Sequence, residues 1–317
     1  MNRPAAAHAL STVVAAAPAG PGIFRLDCAW PGPPPRAGQF FMLKPRRSAV
    51  FLPRPVSAAL WEPLPPVNVC PGGPGPRNGV SGPCNGVSGP RDGVSGAPAL
   101  RLVFYILRRG RGTEELASLR PGDELELSGP LGNFWREHTC PAEGDPGHDG
   151  DPGRGGDKPL ALVGGGIGAA PLIALAAELA EKHEAFDFYA GFRIPFTRRE
   201  EQSAFLGPAE RYARRLVIAV EEAAAAPDRD GEPPLQGLVP AFLDPGKYRA
   251  VCACGPEAML RAVADKCAAA AVPCHVSLER RMACGVGACL GCTVPTAAGN
   301  RRCCTDGPVF SAEAITL

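Results

Sequence analysis

Short runs of alternating hydrophobic and polar residues, separated by Gly and Pro, fill the first part of the chain. They predict β-strands at residues 11–15, 23–28, 39–44, 56–60, 101–107 and 124–127. Evenly spaced short strands are typical of an antiparallel β-barrel. A seven-residue Gly/Val/Ser/Pro repeat runs from Arg77 to Ala97 and carries almost no large apolar side chain. Such a segment buries too little surface to offset its ordering entropy, so we expect residues 65–99 to be a disordered insertion.

The pattern changes after a polar, Gly/Pro-rich stretch at 138–158, which we interpret as a linker. Apolar runs at 160–163, 186–190, 215–220 and 248–252 then alternate with helical segments ending near 182 and 270. This alternation favours a parallel α/β sheet. The chain is therefore predicted to be multidomain. Its parts are an antiparallel β-barrel at 1–137, the linker at 138–158, an α/β parallel-sheet nucleotide-binding domain at 159–273, and a small cysteine-rich C-terminal module at 274–317.

Composition narrows the class of protein. The 317 residues are 45% hydrophobic and 21% charged, with 33 Lys and Arg against 32 Asp and Glu, which gives no basic face for nucleic acid. No apolar run reaches the roughly 20 residues of a membrane span. The stretch from Ala5 to Ala19 is too interrupted for a secretory signal and is better explained by strands. Several of the 13 cysteines crowd near the C-terminus, which suits metal ligation in a reducing cytoplasm, so we expect a cytoplasmic protein.

The cysteine cluster carries the strongest chemical signal. Cys284, Cys289 and Cys292 are followed by Cys304, which gives the C-x4-C-x2-C…C spacing of plant-type [2Fe–2S] proteins. The glycines between them allow the backbone to turn N–H groups towards an anionic cluster. Zinc is the alternative, although its usual ligand pairs are spaced C-x2-C. Spacing alone leaves Cys303 and Cys304 both open as the fourth ligand.

A glycine turn between a strand and a helix follows Leu160. Gly164, Gly166 and Ala169 satisfy G-x-G-x-x-G/A, which places a helix N-terminus where pyrophosphate binds. The turn could instead serve only to pack the helix on the sheet. The acidic residue that would bind the ribose has only Glu184 or Asp187 as candidates. A second turn at Cys254-Gly-Pro could face the same crevice, with Cys254 either at a nicotinamide ring or simply buried.

Two barrel motifs point to a flavin. Arg54-Pro-Val-Ser57 offers a guanidinium for phosphate and a hydroxyl for a ring nitrogen. The sequence before Gly112-Thr113 runs from a strand through a glycine turn into a helix, which makes a second anion site. Two anion sites suit the pyrophosphate of FAD better than FMN. A surface arginine and an ordinary capped helix explain each motif equally well in isolation.

Taken in order, these motifs resemble the ferredoxin-reductase-like superfamily, and within it the electron-transfer subunits of the two-subunit, NAD-linked dihydroorotate dehydrogenases. The most specific match runs from Ser277 to Cys292 and from Arg302 to Phe310. The resemblance implies cluster ligation by Cys284, Cys289, Cys292 and Cys304. It also implies a set of flavin-binding and NAD-binding residues: Arg54, Pro55, Val56, Ser57, Tyr105, Ile106, Leu107, Gly112 and Thr113 for FAD, and Gly164, Gly165, Gly166, Gly168, Cys254, Gly255 and Pro256 for NAD.

The resemblance further implies a function in pyrimidine (UMP) biosynthesis. Electrons from an FMN-containing catalytic subunit would pass through the [2Fe–2S] cluster and FAD to NAD+, in a heterotetramer of two copies of each subunit. The largely uncharged stretch from Met282 to Cys292 is a plausible docking surface for that partner. The loosely matching segment from Val220 to Ala223 does not separate NAD from NADP. The alternatives are a flavin subunit of a ferredoxin–NADP oxidoreductase or sulfhydrogenase, and a non-redox zinc-binding adaptor.

Overall fold

The apolar positions of the first predicted strands close into a six-stranded barrel. The computed structural model describes residues 6–64, 99–139, 158–222 and 234–317. Strands follow the order β1-β2-β5-β4-β3-β6 around the barrel, and all neighbours are antiparallel. The barrel prediction is confirmed, although most strands extend beyond the predicted bounds. The elements are β1 (Ala7–Gly20), β2 (Ile23–Trp30), β3 (Phe40–Pro45), β4 (Arg54–Pro63), β5 (Leu100–Leu107), α1 (Arg111–Ala117), β6 (Glu124–Leu131) and α2 (Arg136–Thr139).

Aromatic side chains fill the barrel. The Phe41 ring stands edge-on to Trp30 at a centroid distance of 5.1 Å and to Phe104 at 5.7 Å. All three are fully buried. Edge-to-face pairs of this kind add to the stabilisation from burial alone. Inward-facing residues of β1, such as Val13, join the same core, so this stretch serves as a barrel strand.

The second domain is a seven-stranded sheet in the order β10-β9-β8-β7-β11-β12-β15. Every neighbouring pair is parallel except β12 with β15. The chain runs from β7 outward to β8 on one side and later returns to β11 on the other side, so the strand order reverses between β7 and β11. Ligands of open parallel sheets bind at such a reversal. The elements are β7 (Leu160–Gly165), α3 (Ala169–Glu181), β8 (Phe186–Phe192), α4 (Arg199–Tyr212), β9 (Arg215–Val220), β10 (Leu235–Gln236), β11 (Ala250–Cys254), α5 (Glu257–Ala269) and β12 (Cys274–Ser277).

The C-terminal segment returns to this sheet. After β12 the cysteine loop leads into a small hairpin, and the last strand then pairs antiparallel with β12 at the sheet edge. These elements are β13 (Thr293–Thr296), β14 (Gly299–Arg302) and β15 (Val309–Ser311). Because β12 is hydrogen-bonded to β11, residues 274–277 belong to the second domain's sheet, and the domain boundary at 274 stays a prediction.

The barrel and the sheet pack directly on each other. Helix α3 lies against β4, and α4 lies against β1. The Tyr105 hydroxyl of the barrel donates to the Ala204 carbonyl of α4 at 2.5 Å, and its ring meets Phe205 at 4.8 Å. The contact directs the barrel face carrying β4 and β5 towards the first turn after β7.

Two predicted segments lie outside the described residues, the repeat from Arg77 to Ala97 and residues 140–157 of the linker. Of the ranges described, no helix is both long and apolar enough to cross a membrane.

Candidate functional site

The two predicted nucleotide turns touch each other. In the β7–β11 pairing, Gly164 is opposite Cys254, so both turns leave the same edge of the sheet. A Cβ built on Gly168 would lie 2.6 Å from the carbonyl carbon of Cys254 and 2.7 Å from the Cα of Gly255. Gly166 has φ +55°, a conformation that favours glycine. Glycine at these positions therefore lets two backbone turns meet at the point where the strand order reverses.

Cys254 is buried and also lines the cavity described below. It is 1% exposed, and burial is the main reason that its pKa is raised well above that of a free thiol. The charge of Glu279 raises the pKa further, while a hydrogen bond with Ser277 lowers it. Cys254 therefore keeps its proton at neutral pH, which suits contact with a ring rather than nucleophilic attack.

The two predicted flavin motifs lie next to each other in the structure. The Arg54 guanidinium donates to the Leu52 carbonyl at 3.1 Å and lies over Gly112, where a Cβ would approach the guanidinium carbon to 2.6 Å. The Thr113 hydroxyl accepts from the Arg109 and Gly110 N–H groups at 3.0 and 3.2 Å and so holds the turn. A guanidinium beside a helix start matches the charge of a diphosphate.

A cavity of about 260 Å³ lies between the barrel and the second domain. Eight of the predicted cofactor residues line it: Pro55, Val56, Ser57, Tyr105, Ile106, Leu107, Thr113 and Cys254. Its walls are mostly apolar with a few polar groups, as in ligand pockets generally. The remaining predicted residues lie outside this lining: Arg54, Gly112, Gly164, Gly165, Gly166, Gly168, Gly255 and Pro256. All these roles stay predictions.

Sequence reasoning missed more than half of the residues that line this cavity. They come from several elements and are Phe40, Arg109, Ile167, Ala170, Pro171, Ser277, Leu278, Glu279, Arg280, Met282 and Pro308. The segment from Ser277 to Met282 was part of the quoted signature, and its position directly after a strand next to β11 was the available signal.

The cysteine loop groups its four predicted ligands into two pairs. The Cys289 N–H points at the Cys284 sulfur at 3.4 Å, and the two thiols contact each other. The Cys292 and Cys304 thiols form the second pair, and the Gly287 N–H donates to the Cys304 sulfur at 3.1 Å. Two pairs of thiols suit a cluster in which each of two irons takes two. Among the described residues, no group of three or more His, Cys, Asp or Glu side chains is arranged to hold a metal ion.

The neighbouring Cys303 points away from this loop. Its thiol is fully buried and donates to the Leu278 carbonyl at 3.3 Å. The geometry thus favours Cys304 over Cys303 as the fourth ligand, in agreement with the resemblance, and the ligand set itself stays a prediction.

The pKa values of Cys284 and Cys304, one thiol from each pair, are shifted in opposite directions. Burial opposes ionisation of Cys284, but the N–H groups of Cys289, Val286 and Ala288 outweigh it and lower the pKa of Cys284 to about 6. Burial, with the adjoining Cys292 thiol, raises the pKa of Cys304 to about 12. Metal ligation needs thiolates, so the Cys304 proton must leave when iron binds.

The cluster loop is fastened to the barrel beside the cavity. Gly285, at φ +70°, packs against Met42, where a Cβ would come within 2.8 Å of the Met42 Cγ. Met282, two residues before Cys284, lines the cavity itself, as does Pro308, four residues after Cys304. The cavity and the predicted cluster therefore share one wall.

The two carboxylates considered for the ribose lie elsewhere. Glu184 and Asp187 are at the start of β8, the end opposite the glycine turn. Glu184 pairs with Arg136 and Arg249 at 2.7 Å each, and Asp187 accepts from the Tyr248 hydroxyl at 2.9 Å. Neither is placed to meet a nucleotide in the crevice, because parallel strands present their ligand at the carboxyl end.

Comparisons with known proteins agree with this geometry. Residues 279–316 match the family described as the iron–sulfur cluster binding domain of dihydroorotate dehydrogenase B. The dihydroorotate dehydrogenase B (NAD(+)) electron transfer subunit of Clostridium acetobutylicum is 36% identical over 208 residues, covering 66% of this chain and 71% of the relative. The Listeria innocua subunit of the same name is 30% identical over 285 residues, covering 88% and 87%.

Solved structures show the same fold at low identity. An NADH-dependent reduced ferredoxin–NADP oxidoreductase structure superposes with a TM-score of 0.64 at 21% identity, covering 97% of this chain and 90% of that one. The ferredoxin reductase of carbazole 1,9a-dioxygenase gives 0.57 at 19% identity, covering 86% and 69%. These two likenesses support a ferredoxin-reductase-like fold, and the sequence relatives define the family more narrowly. The chain belongs to the family of electron transfer subunits of dihydroorotate dehydrogenase B (NAD(+)).

Proposed function

We propose that this chain carries electrons from an FMN-containing dihydroorotate dehydrogenase catalytic subunit to NAD+. The observation that carries the proposal is the single cavity bounded by three parts of the chain: the barrel motif at Ser57, the nucleotide turn at Cys254, and the segment ending at Met282 beside the cysteine loop. Bound FAD would supply hydride exchange with the nicotinamide and single-electron exchange with a [2Fe–2S] cluster.

The chain's own residues bind and position these groups. Arg54, in contact with Gly112, would supply positive charge for the FAD diphosphate, and Ser57 lines the cavity where the flavin ring would lie. Tyr105, which also lines the cavity, joins the barrel to α4 through its hydroxyl. No proton transfer is assigned to these residues, because the cofactors supply the redox chemistry.

The proposed nucleotide site lies where the two nucleotide turns meet. The N-terminus of the helical segment after Gly165 provides backbone N–H groups for a pyrophosphate, and Gly168 lets this turn pack directly on the backbone of Cys254, a residue that lines the cavity. Arg193 and Glu222 pair at 2.9 Å at the carboxyl ends of β8 and β9, on the same side of the sheet. NAD is the proposed nucleotide, as in the names of the relatives.

The proposed complex is a heterotetramer with two copies of each subunit, and the cysteine loop is the exit towards the partner's FMN. The test is reconstitution. The purified holo-chain, mixed with the catalytic subunit of the same organism, should form NADH when dihydroorotate is supplied, and neither subunit alone should do so. A co-purifying ferredoxin-linked or hydrogenase subunit, together with no NADH from dihydroorotate, would replace this proposal with the ferredoxin–NADP alternative.

A further inference from the structure

The cysteine loop is held at its base from two sides, by the sheet and by the barrel. On the sheet side, β15 follows the loop and pairs with β12. On the barrel side, the chain leaves β6 at Leu131 and reaches Asn133, which is 2% exposed. Asn133 binds the segment from Asp306 to Val309, which begins two residues after the predicted ligand Cys304. This contact joins the barrel to the segment that carries the fourth predicted ligand.

Hydrogen bonds in both directions make the contact specific. The Asn133 side-chain amide donates to the Val309 carbonyl at 2.7 Å and to the Asp306 carbonyl at 3.2 Å, and its oxygen accepts from the Val309 N–H at 2.9 Å. The Asn133 backbone N–H donates to the Gly307 carbonyl at 2.6 Å. A carboxylate has no donor, and an apolar side chain has neither donor nor acceptor. An amide therefore suits this position because it satisfies Val309 in both directions.

The place of β15 in the sheet explains why a side chain is needed here. Among the described strands, none lies beyond β15 in its sheet. Asn133 binds the N–H and the carbonyl of Val309 as a neighbouring strand would, and so covers this edge. The approach is close, since a Cβ built on Gly132 would lie 2.7 Å from the Pro308 Cδ and 2.8 Å from the Gly307 carbonyl oxygen. The barrel backbone thus lies directly on the segment.

We propose that Asn133 is a positioning residue for electron transfer: by holding this segment against the barrel, it sets the separation between the flavin and the iron–sulfur cluster. Pro308 lines the cavity, and Cys304 lies four residues before it. A shift of the segment would therefore move a predicted ligand relative to the cavity. Asn133 is not among the residues that line the cavity, so it acts through the segment. The inference rests on the proposed function for FAD and the cluster, and it needs no partner subunit.

The assay follows electrons within the isolated holo-protein. NADH delivers a hydride to FAD, and the hydride carries two electrons and one proton. The cluster accepts one of these electrons, and the other stays on the flavin as a radical. Stopped-flow absorbance measures the rates of flavin and cluster reduction. The magnetic interaction between the flavin radical and the reduced cluster in EPR spectra reports their separation independently of turnover.

Two variants and a matched control isolate the amide. Asn133→Leu removes the side-chain hydrogen bonds without changing the charge, and Asn133→Asp keeps the acceptor for Val309 but removes the donor. The control is Gln39→Leu, because Gln39 is also a buried amide at 2% exposure. Its side chain donates to the Gly132 carbonyl at 3.0 Å and accepts from the Arg36 N–H at 2.9 Å, both within the barrel domain. All variants are matched for FAD and iron content, and their melting temperatures are recorded.

We expect both Asn133 variants to reduce FAD with NADH at about the wild-type rate, to reduce the cluster more slowly by about tenfold or more, and to show a weaker magnetic interaction. Gln39→Leu should lower the melting temperature and leave the rate of cluster reduction within about twofold. Wild-type rates and a wild-type magnetic interaction in the Asn133 variants would overturn the inference. Loss of FAD or of the cluster from both variants would also overturn it, because Asn133 would then serve the fold alone. A wild-type chain that does not reduce its cluster with NADH would instead refute the proposed function.

Discussion

Replacing Gly168 by alanine tests the close contact between the two nucleotide turns. The new Cβ would meet the Cys254 carbonyl group, with its carbon 2.6 Å away and its oxygen nearer still, whereas ordinary contacts begin at 3.4 Å, so the turns must separate by at least about 0.8 Å. The obstacle is backbone, which cannot rotate away as a long side chain can. The backbone of Gly168 is itself compatible with alanine, at φ −64° and ψ −12°, so the clash alone opposes the change.

The expected change in the free energy of unfolding is the difference between two opposing effects. Overpacking a tight contact costs about 1–3 kcal/mol. A Gly→Ala change at a compatible φ returns about 0.4–1 kcal/mol by restricting the unfolded chain. The two ranges together give a net loss of about 0–2.6 kcal/mol of unfolding free energy, centred near about 1.3 kcal/mol, or a melting temperature lower by a few degrees. Since the separated turns also displace the nicotinamide end of the crevice, the KM for NADH in dye reduction should rise together with the loss of stability.

Gly246→Ala is the matched control. Gly246 is exposed in the same domain, and the nearest heavy atom to a Cβ built there is an Asp244 carboxylate oxygen at 3.5 Å. This change should alter stability by no more than about 0.5 kcal/mol and leave the KM for NADH unchanged. Equal melting temperatures and equal KM values for Gly168→Ala and Gly246→Ala would refute the reasoning, because the two turns would then not be in contact.

Three further predictions concern the cysteine loop, the flavin and the pH dependence of stability. Cys304→Ser should abolish the reduced-cluster EPR signal and Cys303→Ser should retain it; the reverse result would move the fourth ligand by one position. Arg54→Ala should release flavin during gel filtration, and mass spectrometry of the flavin released from the wild type should give FAD; recovery of FMN would contradict the diphosphate site. Burial, with the nearby His138, lowers the pKa of His275 in the folded chain to about 4 from its ordinary value of 6.5, so the unfolded state takes up the proton first as the pH falls. Stability is therefore lost between about pH 6.5 and 4, by about 2 kcal/mol at pH 5, and His275→Gln should flatten that slope in denaturant titrations; an unchanged slope would show that other groups cause it.

The barrel and the parallel sheet could both be predicted from the sequence because their patterns are local. Strand alternation and the strand–helix succession after Leu160 are visible in short windows. Helix α4 was not predicted, because its sequence is largely polar, buries only Phe205, Leu206 and Ala209, and contains Pro208. The β13–β14 hairpin was also missed, since β14 is fully exposed and carries no alternation. Elements held by tertiary packing rather than by their own pattern are the ones that local reasoning misses.

The candidate site likewise contains residues that a local pattern predicts and contacts that no local pattern shows. The glycine turn and the cysteine spacing are local, so the residues that carry them were found. The contact of Arg54 with Gly112 joins two motifs that are distant in sequence, and neither motif shows it alone. The cavity wall from Ser277 to Met282 depends on β12 lying beside β11, which is a long-range property of the sheet.

The position of the cysteine loop follows from that same strand order. The loop leaves the sheet after Ser277 at the end of β12 and re-enters it at Val309 at the start of β15, and these two residues are opposite each other in the ladder. The buried Asn133 of the barrel side binds Val309 in both directions, accepting from its N–H at 2.9 Å and donating to its carbonyl at 2.7 Å. Because the sheet and the barrel both hold the loop at its base, folding sets the separation between the cavity and the predicted cluster ligands.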